Sequence, residues 1–362
     1  MRRVAGELAA RDDTEVEVWT VDRGERLGER EFDGIRVRYL PTPLPARNTR
    51  SMVGMVKDAP PAWRAWSRAR REFRPELLHV HCFGPNGVYA LALARRGRLP
   101  LAVTSHGETI GDDHGAFARS ALLRRSLTAA IERSSFVTAP SDYVLSELRG
   151  TYGLEGGVVV PNGVVRQPDP AAGATPTTAL PALEDPRPFI AAVGRLGHPK
   201  GFDLLLDAFA RAELPGSTRL LIGGDGPERA ELERRIAELG LSDRVSLLGR
   251  LDAAGVDAVM RRSLALVVPS RFEAFGIVAL EAWRAGTALV MTSRGGAPEF
   301  VRDGIDGLLV DPLDVPALSS ALRRVHDDAA LRDRLSAAGA ARVDEFAWSR
   351  VARAYRELYD AV

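Results

Sequence analysis

The stretch that decides the fold is AVGRLGHPKGFDLLLDAF, residues 192–209. It follows an apolar run and ends it at Gly194. A glycine-bounded loop carrying Arg195 and Lys200 comes next, and an amphipathic helical pattern opens near Phe202–Asp203. Strand, loop, helix is the start of a βαβ unit, and in open parallel sheets such loops face a ligand at the carboxyl ends of the strands. Gly194, Gly197 and Gly201 permit close backbone approach. Two cations five residues apart can converge on a diphosphate, Arg195 as a planar fork and Lys200 as a compact point charge. The chain holds 49 Lys plus Arg, yet Lys57 and Lys200 are its only lysines, so this loop carries an ammonium where guanidinium is the rule. A Walker-type phosphate loop is excluded, because Lys200 follows Pro199 and precedes Gly201 instead of Ser or Thr.

Working outward, β-branched runs alternate with helical patterns along the chain. EVEVWT (15–20), IRVRYL (35–40), LLHVH (77–81), LAVTS (101–105), SFVTAP (135–140) and GVVVP (157–161) read as strands of a first series. PFIAAVG (188–194), TRLLIGG (218–224), RVSLLG (244–249), SLALVVP (263–269), TALVMT (287–292) and GLLV (307–310) form a second. This alternation predicts two doubly wound, Rossmann-like α/β domains in tandem, 1–165 and 188–345, facing each other across a ligand cleft. RQPDPAAGATPTTALPALEDPR (166–187) lacks apolar periodicity and reads as a linker. Residues 346–362, with Trp348, Tyr355 and Tyr359, read as a helix returning to the first domain.

The start departs from this pattern. RRVAGELAARDD (2–13) is an amphipathic helix ahead of the first strand, whereas a doubly wound domain opens on a strand and a glycine-rich turn. The expectation is that Met1 was assigned late in the reading frame. Loss of that strand would leave open sheet edges and a gap in the core.

Composition narrows the function. With 45% hydrophobic and 27% charged residues over 362 positions and a net charge of +1, the chain is ordinary globular protein with no global nucleic-acid footprint. Its one cysteine, Cys82, cannot close an internal disulfide, and no Cys/His cluster has zinc spacing. No apolar run reaches a membrane span and no secretory signal is legible, so the expected location is the cytoplasm. Charge is uneven, net +4 over 1–165 and −3 over the remainder. The arginines of WRAWSRARREFR (63–74) and RSALLRRS (119–126) read either as solvated helix faces or as peripheral contact with an anionic membrane at its inner face.

A second informative stretch is PSRFEAFGIVALEAWRAGTALV, 269–290. A strand ends near Pro269 and a helix starts around Gly276–Ile277, leaving the amides of Phe275, Gly276 and Ile277 as an anion site. Glu273 precedes this turn and Glu281 lies about two helical turns on. Together they suit a ligand with a charged centre and sugar hydroxyls; the plainer reading of Glu281 is an exposed i,i+3 partner of Arg284. In the first domain TSHGETIG (104–111) follows a strand and carries His106. HVHCFGPNG (79–87) continues another strand-like run, with His79 and His81 alternating on a strand so that one of them faces the core.

Taken together, GRLGHPKG (194–201), GGDGPE (223–228), the Glu273-x7-Glu281 pair, GGAPEFV (295–301), DGIDGLLVDP (303–312) and VPNGVV (160–165) resemble the family 4 retaining glycosyltransferases of GT-B fold. The match runs over almost the whole chain and is strongest from 188 to 312. The resemblance implies that Gly194, Arg195 and Lys200 meet the donor diphosphate, and that Glu273 holds donor-sugar hydroxyls. Phe275, Gly276 and Ile277 would contact sugar and phosphate, Glu281 the ribose, and Arg250 and Leu251 would lie near the base. His106 matches the active-site histidine. It further implies a nucleotide-sugar co-substrate, a lipid-linked, polysaccharide or small-molecule acceptor, no cofactor and no catalytic metal, in keeping with the absence of any Asp-x-Asp pair.

The competing class is a non-catalytic sugar-nucleotide-binding protein with a damaged first domain. A nicotinamide dehydrogenase is disfavoured because GGDGPER (223–229) puts Arg229 where the third glycine belongs. A two-domain solute receptor would leave the Glu273/Glu281 pair unexplained.

Overall fold

A computed structural model describes residues 2–10, 13–22, 24–25, 28–44, 49–111, 115–166 and 180–362, with backbone alone at 49–56. The chain divides into two compact units, Met1–Pro161 with Trp348–Val362, and Asn162–Ala347. Within the stretch read as a linker, 167–179 lies outside the described residues. From Leu180 onward that stretch belongs to the second unit: Leu183 is buried in its core, and Arg219 donates to the carbonyls of Ala182, Asp185 and Arg187. The second unit therefore takes in chain ahead of residue 188, because two leucines and a buried guanidinium hold it there.

In the first unit, β1 (Glu17–Val21), β2 (Glu29–Phe32) and β3 (Ile35–Leu40) form one sheet in the order β1-β3-β2. β4 (Leu78–His81), β5 (Leu101–Thr104), β6 (Phe136–Ala139) and β7 (Val158–Val159) form a second, all-parallel sheet in sequence order. β2 has no counterpart in the sequence reading. It is exposed along its length and pairs antiparallel with β3. Its hairpin turns at Asp33 and Gly34, with φ of 53° and 76°, the paired positive values that a tight hairpin of right-handed twist requires.

The expected single doubly wound sheet of the first domain is thus two sheets. β1 and β4 each end a sheet, and both line one cavity of about 720 Å³ together with Val4, Leu8, Trp66 and Tyr359. No described strand lies between them, so neither edge finds a ladder partner there. The helix Arg2–Ala9 packs Val4 and Leu8 against Val351, Ala352 and Tyr355 of the helix Trp348–Asp360.

The second unit is one sheet of six parallel strands. β8 (Phe189–Val193), β9 (Arg219–Gly223), β10 (Val245–Gly249), β11 (Ala265–Val268), β12 (Ala288–Thr292) and β13 (Leu308–Val310) lie in the order β10-β9-β8-β11-β12-β13. Side chains alternate across it. Ile190, Ala192, Leu220, Ile222 and Val267 join one buried cluster, while Phe189, Ala191, Leu221, Leu266 and Val268 join the other. Helices cover both faces, which is why these strands read as continuous apolar runs. The order reverses between β8 and β11, and that switch point places the loops after both strands side by side. No helix among the described residues is long and apolar enough to cross a membrane.

Candidate active site

The loop after β8 and the loop after β11 meet at the switch point. Lys200 Nζ donates to Glu273 Oε2 at 2.7 Å, and Ser270 Oγ donates to the same oxygen at 3.0 Å. Glu273 is 9% exposed. A buried carboxylate requires such partners, so the two loops hold each other. Arg271 adds a second tie: its guanidinium grips both carboxylate oxygens of Asp203, at 2.8 and 2.6 Å, and the carbonyl of His198 at 2.7 Å. The contact is close enough that a Cβ on Gly201, whose φ is +66°, would sit 2.1 Å from the carbonyl oxygen of Pro269. GGDGPE (223–228) works behind this loop. Leu196 N donates to the Asp225 carbonyl and Glu228 N to the Leu196 carbonyl, both at 3.0 Å.

The helix Ile277–Ala285 starts at Gly276, with φ of 91° and no side-chain cap. A Cβ there would approach Met291 Cε to 2.4 Å and Glu273 Cγ to 3.1 Å. A side chain at 276 would therefore run into Met291 and crowd Glu273, while glycine leaves the helix's first amides open to an anion. Phe275 is buried against Phe300, with ring centroids 4.4 Å apart, whereas Ile277 is 38% exposed. From the other side, Glu273 N donates to the Arg294 carbonyl at 3.0 Å and Gly296 N to the Glu273 carbonyl at 2.8 Å, so GGAPEFV is the third strand-end loop at this site.

Glu281 lies on the same helix, half-buried. Burial raises its carboxyl above the usual range, with Asp257 adding to the rise and Arg284 opposing it. The plainer reading of Glu281, an exposed i,i+3 partner of Arg284, does not hold; Arg284 pairs with Asp257 at 3.3 Å. Among the described residues Glu281 makes no ion pair. Gly194 closes β8, with its amide on the Gly223 carbonyl, and Arg195 is exposed on the loop that follows. Arg250 is exposed just after β10, and Leu251 packs against the second cluster. Lys200, Glu273, Phe275, Gly276 and Ile277 are thus gathered at one switch point. The sequence reading did not single out Ser270, Arg271 or Asp203 as site residues; the contacts of Arg271 to Asp203 and His198 bridge 68 and 73 residues.

In the first unit His106 follows β5. Its amide donates to Glu108 Oε2 at 2.6 Å, Ser105 Oγ to the same oxygen at 3.0 Å, and the Phe83 amide to Glu108 Oε1 at 2.7 Å. Glu108, also unread in the sequence, laces the loops after β4 and β5 together. Burial raises its carboxyl, and these hydrogen bonds oppose the rise.

The expected alternation of His79 and His81, with only one of them facing the core, is wrong. Residues two apart on a strand share a face, and their rings lie 4.1 Å apart. Both sit beside Tyr355, and His79 also meets Tyr359. Burial holds His106 down at about 4 and His79 at about 3. No group of three or more His, Cys, Asp or Glu among the described residues is arranged to hold a metal ion.

A six-strand parallel sheet reversing at its centre, with a lysine–glutamate contact and an uncapped helix start at the reversal, defines a doubly wound α/β protein whose candidate site lies at the switch point. The comparisons agree. The family described as Glycosyl transferases group 1 matches residues 180–342, and that described as Glycosyltransferase Family 4 matches residues 1–167. Two relatives come from Streptomyces kanamyceticus. An alpha-D-kanosaminyltransferase is 28% identical over 87% of this chain and 85% of its own. A 2-deoxystreptamine glucosyltransferase is 30% identical over 83% and 82%. A solved sucrose-phosphate synthase from Thermosynechococcus elongatus superimposes with a TM-score of 0.79 at 25% identity, covering 100% of this chain and 93% of that one. The chain belongs to the family 4 glycosyltransferases, and its two Rossmann-like units are those of the GT-B fold.

Proposed function

We propose that the protein transfers a sugar from a nucleoside-diphosphate donor, a UDP- or GDP-sugar, with retention at the anomeric carbon and without a catalytic metal. The observation that carries this reading is the Lys200–Glu273 contact at the switch point, beside the uncapped helix start. Arg195, Lys200 and the amides at Phe275–Ile277 would take the charge that grows on the leaving diphosphate, which is electrostatic stabilisation of a leaving group. Glu273 would accept from donor-sugar hydroxyls, Glu281 from the ribose, and Arg250 and Leu251 would flank the base. His106 would meet the sugar through its imidazole.

Among the described residues no side chain is an evident covalent nucleophile. The bond from the anomeric carbon to the diphosphate oxygen would break and the acceptor oxygen would attack on the same face, its proton passing to the departing diphosphate. The two Streptomyces relatives, by their names a kanosaminyltransferase and a glucosyltransferase for 2-deoxystreptamine, support a small-molecule acceptor among the three expected classes. A cytoplasmic site of action is proposed with it. Arg64, Arg68 and Arg71, and Arg119 and Arg125, are exposed on the first unit, and they support peripheral contact with an anionic membrane face.

The test is calorimetric titration of the full chain with UDP, GDP, ADP and TDP in EDTA, followed by release of nucleotide from the matching donor. Metal-free binding of one nucleotide with donor turnover is expected. Binding without any turnover would favour the non-catalytic alternative, and no binding by folded protein would overturn the reading.

A further inference from the structure

His79 and His81 share one face of β4 but make different contacts. His79 has both ring nitrogens engaged: Nδ1 lies 2.7 Å from the Tyr359 hydroxyl, and Nε2 lies 2.7 Å from Thr104 Oγ1, which in turn meets Thr138 Oγ1 at 2.6 Å. These contacts bind β4, β5, β6 and the C-terminal helix into one core, so His79 is a structural member. His81 points its Nδ1 at His106 Nε2 across 3.2 Å, with the two rings nearly parallel at 27° and 5.5 Å between centroids.

Resting on the reading of His106 given above, we propose that His81 is a positioning residue for His106. Its Nδ1 engages Nε2 of His106, fixes the ring's rotamer and tautomer, and leaves Nδ1 of His106 as the nitrogen that meets the transferring sugar.

Three observations carry this. A neutral imidazole has one donor and one acceptor nitrogen, so a hydrogen bond between two neutral imidazoles takes one nitrogen from each and fixes the other's role. Burial keeps His106 neutral, down at about 4, and lowers His81 as well, so at neutral pH one proton lies between the two rings. Finally, the main chain of His106 is held separately, by its amide on Glu108, and Glu108 also holds the Phe83 amide two residues beyond His81. The backbone geometry therefore does not depend on the His81 ring, and what that ring adds is the orientation of the His106 imidazole.

The variants are His81→Leu, which removes the hydrogen bond, and His81→Asn, whose amide reaches the Nδ1 position and can donate or accept. The probes are UDP released from UDP-glucose and GDP released from GDP-mannose, with His106→Ala run in parallel. His81→Leu should lower kcat roughly 10- to 100-fold, within the range that positioned proton-bearing groups contribute, while donor KM changes by less than about twofold. His81→Asn should restore most of the loss. Full activity in His106→Ala would refute the role of His106 itself. An impaired His106→Ala beside a fully active His81→Leu would overturn the positioning inference alone, and so would equal losses in both His81 variants, since that is the signature of packing.

A measurement on the unmutated protein covers the case in which the variants fail to fold or neither donor is consumed. In protein labelled with 15N-histidine, a nitrogen–nitrogen coupling across the hydrogen bond should link His81 Nδ1 to His106 Nε2, with one tautomer of His106. Absence of the coupling together with exchange between tautomers would overturn the proposal.

Discussion

Replacing Lys200 by Met removes the ammonium and keeps the aliphatic stem, which isolates the charge. The ammonium lies 2.7 Å from Glu273 Oε2; the lysine side chain is 36% exposed and the glutamate's 11%. Two losses follow. A hydrogen bond to a charged group contributes about 1.5–3 kcal/mol. With over a third of the lysine in solvent, screening places the expected loss in the lower half of that range, roughly a 10- to 40-fold weaker Kd for the nucleoside diphosphate. Glu273 is also left with Ser270 as its side-chain donor, its charge no longer balanced beside an incoming anion, and this pushes in the same direction.

The transition state loses more, because negative charge grows on the leaving diphosphate. Removal of one preorganised donor at such a centre costs about 10²–10³ in kcat. Calorimetry with UDP and GDP reads the first loss, and single-turnover nucleotide release reads the second. Lys200→Arg keeps the charge but presents a wider, planar group in a loop set flush on β11. It should recover nucleotide binding and leave kcat depressed. A Kd for Lys200→Met within about twofold of the wild type would refute the reasoning, and full activity in Lys200→Arg would show that a point charge is not needed.

Two further predictions concern stability. Asp306 is 0% exposed and accepts from Arg302 Nε at 2.6 Å and Arg342 Nη1 at 2.9 Å; Asp306→Ala should cost about 3–5 kcal/mol, seen calorimetrically as a Tm lower by roughly 6–20 °C, and a shift below about 3 °C would count against it. His79 and His106 are held neutral by burial, at about 3 and about 4 against 6.5 for an ordinary histidine. The unfolded chain therefore binds protons that the folded chain refuses between roughly pH 4 and 6.5, and stability is complete above that window and falls on acidification. Denaturant titrations between pH 7 and 5 should show a slope approaching about 2.7 kcal/mol per pH unit from these two groups, with His81, also lowered by burial, adding to it, and about one proton fewer in His79→Asn; a flat profile would refute the burial of these rings.

The sequence by itself determined the periodic and local features of this protein. Strands β8 to β13 are legible because burial on both faces demands unbroken apolar runs such as FIAAV and ALVV. Lys200, Glu273 and Gly276 are legible because each stands in a short pattern whose chemistry is local: a glycine-bounded cationic loop, and a helix start preceded by a carboxylate. β2 escaped because Glu-Arg-Glu-Phe has no buried face, and its pairing comes from the Asp33–Gly34 turn.

Tertiary structure alone decided the partnerships. Lys200 meets Glu273 across 73 residues, and Arg271 meets Asp203 across 68. Arg284 chooses Asp257 over Glu281, its neighbour one turn away. His81 meets His106 only because β4 and β5 lie side by side with their loops laced by Glu108. Side-chain pattern reports which face of an element seeks burial. Which groups then neutralise one another depends on strand order and on where the loops converge, and those are properties of the packed sheet.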